Sequence, residues 1–344
     1  MRCLRFLIAA LIVSAPVLLG IRQARSQGLA QAQPQAQAEP QAQALPTFKG
    51  TWQGPDRSKV RLPGPGPKPG QSLADYFAHL KTGPRSPHRF HVLVLGGTHG
   101  FHHDSASACM DGVYRWGMQT SFWDAELATD FNLVNAGGGG PMNAGFQPKG
   151  LKDFDAVVVC EATGDWGLDA AQKAAFIAFV HDRGAGLVVI HAGIDANHGW
   201  RDYIDMVGGE FTGHPFNSAE QVIVNFPIVN EDPAFPAVSQ LPKYFRKQDE
   251  LYVLRNFDRG QVDVLLRLNE RELDFSEVDG RVPPDHDMPV AWAKTYGTGR
   301  VFATSLGHAK EAFLDPDLER MYTQAIEWVL GLTEADVTSH ARRF

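Results

Sequence analysis

Cysteine is scarce. Cys3, Cys109 and Cys160 are the whole complement of 344 residues. None of them follows the apolar run at the N-terminus, which argues against a lipoprotein anchor. Cys109 falls on the apolar face of a helical pattern and Cys160 inside an apolar strand, so two buried free thiols are expected rather than a disulfide framework. A large domain has no need of disulfides, even in an oxidising compartment. No Gly-x-Ser-x-Gly occurs, so a serine nucleophile elbow is missing. The "GGGG" at 137–140 lacks the Lys-Ser/Thr and the preceding strand of a phosphate loop and reads as a turn. Positive charge is in deficit as well. The formal net charge is −7, and losing Arg2, Arg5, Arg22 and Arg25 with a leader would make the chain more acidic still. That balance argues against nucleic acid as a partner.

The N-terminal residues read as a leader. Arg2 and Arg5 precede an apolar run over 6–20, and Ala24-Arg25-Ser26 supplies a cleavage site, so residues 1–26 are expected to be a secretory signal peptide. The run is short for a membrane span. The expected location is periplasmic or secreted, with no membrane span in the mature chain; the alternative is an uncleaved N-terminal anchor. Residues 27–46 ("QAQPQAQAEPQAQALP") form a Gln/Ala/Pro linker that cannot build a core. Residues 47–89 form a Gly/Pro-rich extension with one expected helix, "SLADYFAHLK". Residues 90–332 suit one large domain, and 333–344 remain as a tail.

Within that domain, "FHVLVLGG" (90–97), "DAVVVCEA" (155–162), "GLVVIHAG" (186–193) and "GRVFATSLGH" (299–308) read as buried strands. Amphipathic helices fall between them. Ser105 is placed to cap the first; Asp169 and Gln172 stand at capping-box spacing, with Gly184 closing that helix; Asp315-Pro316 opens the last. Such alternation means an α/β fold, a mostly parallel sheet with helices on both faces. The segment 219–295 differs: "AEQVIVNF", "ELYVLRNF", "VDVLLRLN" and "MPVAWAKTYG" are strands without helices between them, expected as an antiparallel or mixed extension.

In open α/β sheets ligands bind beyond the carboxyl ends of the strands. There the chain places His99, His102, His103 and Asp104 after the first strand, Glu161 after the second, His191 after the third and His308 after the last. Separate strands deliver imidazole or carboxylate to one edge, which marks the rim of a site. Trp166 and Trp200 near this rim read as packing residues or as stacking platforms for a sugar. At "VVIHAG", His191 stands where a class I glutamine amidotransferase carries its catalytic Cys, and Cys160 has no elbow around it, so Cys-dependent amidotransfer has little support.

Together, "GGTHGFHHDS", "IHAGIDANHGWRDYIDMVGGEFTGHP", "KQDELYVL" and "DHDMPVAWAKTYGTGRVFATSLGH" resemble the ThuA-like (trehalose-utilisation) family over about 90–331. The resemblance implies a flavodoxin-like, class I glutamine amidotransferase-like fold lacking the Cys. It also implies a role in metabolism of trehalose and related disaccharides through keto-sugars. His103-Asp104, His191, Asp195, Trp200, Tyr203, His214-Pro215, Asp249-Glu250, Asp285-His286 and His308 match the family's motifs one by one. The segment "DANHGWRDY" departs from a more aromatic family pattern, which puts the substrate loop in doubt.

For a 3-keto-glycoside the proton on C2 is acidified by the neighbouring carbonyl, and an enzyme needs a base for it and positive charge at the developing enediolate. His191, Asp195, Glu250 and His308 are the candidate catalytic residues. Trp200, Tyr203, His214, Asp249 and His286 are the candidate substrate contacts. His103, His191 and His308 are the candidate ligands of a divalent transition metal, zinc or manganese, inferred from composition and position. Isomerisation, epimerisation and eliminative cleavage share that first step. Metal-assisted hydrolysis of a glycoside or ester, and a non-catalytic carbohydrate-binding domain, stand as the alternatives. In each case the partner is a small-molecule carbohydrate.

Overall fold

Strands of continuous Val, Leu and Ile can be stable only where both faces of the sheet are covered, and the chain builds that arrangement. A computed structural model describes residues 89–137, 149–214, 223–275 and 282–343. The expected signal peptide, the linker, the Gly/Pro-rich extension up to residue 88 and residues 138–140 lie outside the described residues.

Nine strands form one sheet in the order β2-β1-β3-β4-β11-β10-β9-β6-β7. β1 (Phe90–Leu95), β2 (Trp123–Ala128), β3 (Ala156–Cys160), β4 (Gly186–Ile190) and β11 (Gly299–Thr304) run parallel. β10 (Pro289–Tyr296), β9 (Asp263–Leu268), β6 (Val224–Asn230) and β7 (Tyr244–Asp249) continue the sheet antiparallel, as the helix-free segment implied. A two-stranded sheet pairs β5 (Glu210–Gly213) with β8 (Val253–Arg255).

Alternation along the strands divides the core. Val92, Val94, Val158, Val188 and Phe302 face α1 (Ala106–Thr120) and α4 (Pro316–Val329). Leu93, Leu95, Val157, Val189 and Val301 face α2 (Ala170–His181) and α3 (Arg201–Val207). The cap at Asp169 forms a reciprocal box with Gln172, and Asp315 accepts from the amides of Asp317 and Leu318. Beyond α4 the tail lies along the antiparallel half, with His340 Nε2 3.0 Å from Asp263 Oδ1. No described helix is long and apolar enough to cross a membrane.

The cysteines correct the sequence reading. Cys109 and Cys160 are not free thiols but a disulfide, with Cα atoms 5.7 Å apart. Burial of each was legible; what was not is that the first turns of α1 sit directly over the last residue of β3. The bridge ties α1 to the strand whose end carries Glu161. Its span of 51 residues makes its removal worth about 4 kcal/mol in the chain-entropy account, within an observed range of roughly 0–5. The Cys109→Ala/Cys160→Ala protein should therefore unfold at a clearly lower urea concentration than wild type, equivalent to a loss of about 2–4 kcal/mol. An unchanged midpoint would mean that the two sulfurs are not joined.

Candidate active site

Two of the strand ends carry a non-glycine residue in the left-handed region, Glu161 at φ 54° after β3 and His191 at φ 46° after β4. Such residues turn the chain sharply and are uncommon outside functional or strained places. Here they turn a carboxyl and an imidazole onto the carboxyl edge of the sheet. Gly164 helps close the rim. At φ 78° it pairs with Ala196, and a Cβ there would lie 2.6 Å from Gly100 N, so only glycine lets the loops after β1, β3 and β4 meet.

His191 is wholly buried. Its Nδ1 lies 2.6 Å from the Ser305 carbonyl oxygen, which can only accept, so Nδ1 carries the proton and donates. In the neutral ring Nε2 is then a lone pair. It faces His308 Nδ1 at 3.2 Å, Glu250 Oε2 at 3.3 Å and the Tyr252 hydroxyl at 3.1 Å. Glu250 Oε2 is also 3.1 Å from His308 Nδ1, and Glu250 Oε1 is 3.4 Å from His214 Nδ1. His103 closes the group, its ring edge-to-face with His191 at 5.1 Å and with His308 at 5.0 Å. One donor atom from each of His103, His191, Glu250 and His308 can be chosen so that all lie within 4.8 Å of one another.

The electrostatics follow from burial and from these neighbours. Burial, with His191 and His308 adding to it, pushes His103 down to about 3, so its ring is neutral. Burial works against ionisation of Glu250, yet hydrogen bonds and charge from His191 and His308 hold it below the usual carboxylate range. Burial likewise opposes the charge on His308, and the hydrogen bond it donates to Glu250 more than offsets it, so this imidazole is pushed up. Burial pushes the Tyr252 phenol well above its ordinary range, which keeps it a hydrogen-bond donor.

The donor set fits a divalent cation. A tetrahedral ion with bonds of about 2.0–2.1 Å has donors separated by roughly 3.3–3.4 Å, and the His191, His308 and Glu250 atoms stand 3.1–3.3 Å apart. His191 Nε2 and Glu250 Oε2 can meet at 3.3 Å only across something positive, a proton or a bound cation. The Ser305 carbonyl fixes the tautomer of His191 in the way a metal-ligand imidazole requires. Among the described residues the buried His103 Nδ1 has no hydrogen-bond partner, and it lies 3.9 Å from Glu161 Oε2.

Other expected residues are placed differently. Of the opening histidine cluster, only His103 turns inward; the His102 and Asp104 side chains are exposed, and His99 Nδ1 hydrogen-bonds the exposed Asp165 carbonyl at 2.8 Å. Trp166, Trp200 and Tyr203 are buried in one aromatic cluster around Phe176, because their loop folds back onto α2. Trp200 and Tyr203 therefore pack beneath the site; Tyr203 donates to the Gly193 carbonyl at 2.8 Å and so braces the turn that carries His191. Asp249, expected to meet substrate, is fully buried and spends both oxygens on backbone amides, Oδ1 on Glu250 and His308 and Oδ2 on Gly307. It locks the Glu250 and His308 loops together. The ring of His286 stacks on Phe275 at 3.7 Å, and among the described residues no hydrogen bond or ion pair joins it to the cluster. His214 is exposed beside Glu250, and Asp195 Oδ1 is hydrogen-bonded to His198 Nε2 at 2.7 Å.

Residues given no role in the chemistry from sequence also take part. Tyr252 follows Glu250 by two positions, on the same side of an extended segment. Glu161 is an acid abutting the all-apolar "AVVVC". Ser105 leaves its expected capping role, and its hydroxyl donates instead to Glu161 Oε2 at 2.7 Å. The exposed aromatic at the rim is Phe101, edge-to-face with His103 at 4.9 Å.

Burial pushes the Glu161 carboxyl well above its ordinary value, against the Ser105 hydrogen bond. A raised folded-state pKa gives stability that is full below the unfolded value of about 4.3 and falls as pH rises toward the folded one. Glu161→Gln resembles the protonated acid and lacks that loss. Its melting temperature relative to wild type, measured in chelator, should rise steadily from pH 5 to pH 8; a constant difference would mean that Glu161 is already ionised at pH 5.

The comparisons agree with this architecture. The ThuA family model, described as trehalose utilisation, matches residues 91–329. A ThuA-like protein from Bacteroides uniformis aligns at 20% identity and a TM-score of 0.53, covering 70% of this chain and 91% of that one. A ThuA-like protein from Parabacteroides merdae aligns at 18% identity and a TM-score of 0.53, covering 74% and 93%. At these identities they speak for the fold. No curated protein matches significantly. With a parallel sheet extended by antiparallel strands, an imidazole at the strand-end elbow and a family match across the whole domain, the chain belongs to the ThuA family.

Proposed function

We propose that the chain is an exported carbohydrate enzyme that removes a proton next to a carbonyl of a keto-sugar, at a site built to hold one divalent transition metal. The observation that carries this reading is the convergence of His191 Nε2, His308 Nδ1 and Glu250 Oε2, 3.1–3.3 Å apart and joined by His103. The family's association with trehalose utilisation supplies the substrate class. His103, His191, His308 and Glu250 would hold zinc or manganese, which when bound would supply positive charge at the carbonyl oxygen.

The remaining residues divide the work. Asp195 is the base. Burial pushes its carboxyl up, against the opposing pull of His198, His191 and His214, toward the range in which a carboxylate takes a proton effectively. It takes the C2 proton, and the C–H electron pair moves toward the carbonyl. The Tyr252 hydroxyl, kept protonated by burial, can donate to the oxygen that gains charge. His214 stands exposed next to Glu250, at the open side where a sugar hydroxyl would arrive. Phe101, exposed beside His103, offers the stacking face that the buried Trp166 and Trp200 cannot. The Cys109–Cys160 disulfide and the signal-like leader both support export, since such bridges are rare in reducing compartments.

Two measurements test the reading. Elemental analysis of wild type should find about one divalent transition metal per chain, with affinity falling at least about 100-fold in His191→Ala and Glu250→Gln. In D2O, methyl 3-keto-glucoside should exchange its C2 proton, and Asp195→Asn should slow this about 10²–10⁴-fold without loss of metal. Cleavage of an unoxidised glycoside or an ester without C2 exchange would replace this reading with metal-assisted hydrolysis. Sugar binding without turnover, unaffected by His191→Ala, would make the domain a binding module.

A further inference from the structure

Asp195 does not stand alone. His198 lies between it and Glu210, with Nε2 2.7 Å from Asp195 Oδ1 and Nδ1 2.7 Å from Glu210 Oε2. Two ionised carboxylates can only accept, so both ring nitrogens must donate, and a ring that donates from both is an imidazolium. Glu210 is buried and anchored in turn. Its Oε1 accepts from Arg255 Nε at 2.9 Å and from Asn256 Nδ2 at 2.6 Å, and its Oε2 accepts from Arg255 Nη2 at 3.3 Å. Glu210 and Arg255 are register partners in the β5–β8 pair, so the anchor is set by strand pairing rather than by a loop. Asp195, at the other end, closes the short turn that begins at His191. A continuous chain of charge-assisted bonds thus runs from the two-stranded sheet to the rim. Among the described residues no hydrogen bond or ion pair joins His198, Glu210, Arg255 or Asn256 to the His103, His191, Glu250 and His308 group.

We propose that His198 is a positioning residue, an imidazolium clamp that fixes the orientation of Asp195 and holds it ionised, with Glu210, Arg255 and Asn256 as its anchor. The role rests on the reading of Asp195 as the base. The charges that bear on the clamp are Asp195 on its own turn, Glu210 from β5 and, through Glu210, Arg255 from β8; Asp195 also feels His191 and His214. Burial disfavours a charged His198, and its bonds to Glu210 and Asp195 outweigh that and raise it. The triplet differs in purpose from a carboxylate–imidazole pair that activates a nucleophile. Neither ring nitrogen is available as a base, so the imidazole acts only by geometry and charge.

The clamp can be read without turnover. In the full chain carrying 15N-histidine, NMR should show both His198 nitrogens protonated at pH 7.5, with a midpoint above the free value of about 6.5. That midpoint should fall by about a unit in Glu210→Gln and in Asp195→Asn. A neutral His198 at pH 7.5 in wild type, or a midpoint unmoved by both substitutions, would overturn the clamp. The positioning role is read from the pH profile of C2 exchange in methyl 3-keto-glucoside. Losing the cation raises the Asp195 pKa, so His198→Gln should shift the acid limb up by about one unit and lower kcat about tenfold at the wild-type limb, with KM within about twofold and metal content unchanged. An unmoved limb would overturn positioning. Exchange absent from wild type would overturn the base reading and the positioning role together, while the NMR titration separately decides whether the clamp exists.

Discussion

Glu250 cannot keep its negative charge where it lies without positive or hydrogen-bonding partners on several sides, because an isolated carboxylate in a largely buried site is costly. The chain meets this demand with imidazoles from three different loops: His308 after β11, His191 after β4 and His214 at the end of β5. Much of the surrounding structure serves to hold those loops. Asp249 gives up both oxygens to the amides of the Glu250 and His308 loops. Tyr203 braces the His191 turn from below, and the Ser305 carbonyl fixes the proton on His191. These supporting groups explain why polar residues matched to family motifs can be fully buried and still matter.

The parallel half of the sheet supplies the geometry, and the antiparallel half supplies the acid. His103, Glu161, His191 and His308 all follow parallel strands, whose carboxyl ends form one edge. Glu250 follows β7, which the successive antiparallel pairings leave running in the same direction as β11, so its end opens on that same edge, and Tyr252 comes with it. The segment without helices is thus what completes the site. The Cys109–Cys160 bridge ties α1 to the end of β3, directly below the Glu161 turn.

Hydrophobic periodicity made the layers legible, since the Val-rich runs and the capped amphipathic helices mapped onto the observed elements. The position rule for α/β sheets also made His103, His191 and His308 legible, and the motif resemblance added Glu250. Side-chain direction was harder. Nothing in "DANHGWRDY" tells whether Trp200 and Tyr203 point to solvent or into the core; packing against Phe176 decides that. Strand ends were overrun for a related reason: the turns at Glu161 and His191 are made by left-handed non-glycine residues, which carry no turn signature. The disulfide needed a helix-to-strand contact that spacing does not reveal. His198 stayed hidden because Glu210, its partner, meets the anchoring Arg255 only through strand pairing.

The claim on which the account turns is that the imidazoles and Glu250 surround one cation. X-ray absorption of the zinc-loaded domain tests it most directly. The account predicts a first shell at about 2.0–2.1 Å made of nitrogen and oxygen, with the multiple-scattering signature of at least two imidazoles, losing one of them in His308→Ala. A shell of oxygen alone, or one unchanged by that substitution, would contradict it and leave the cluster as a hydrogen-bonded acid–base network.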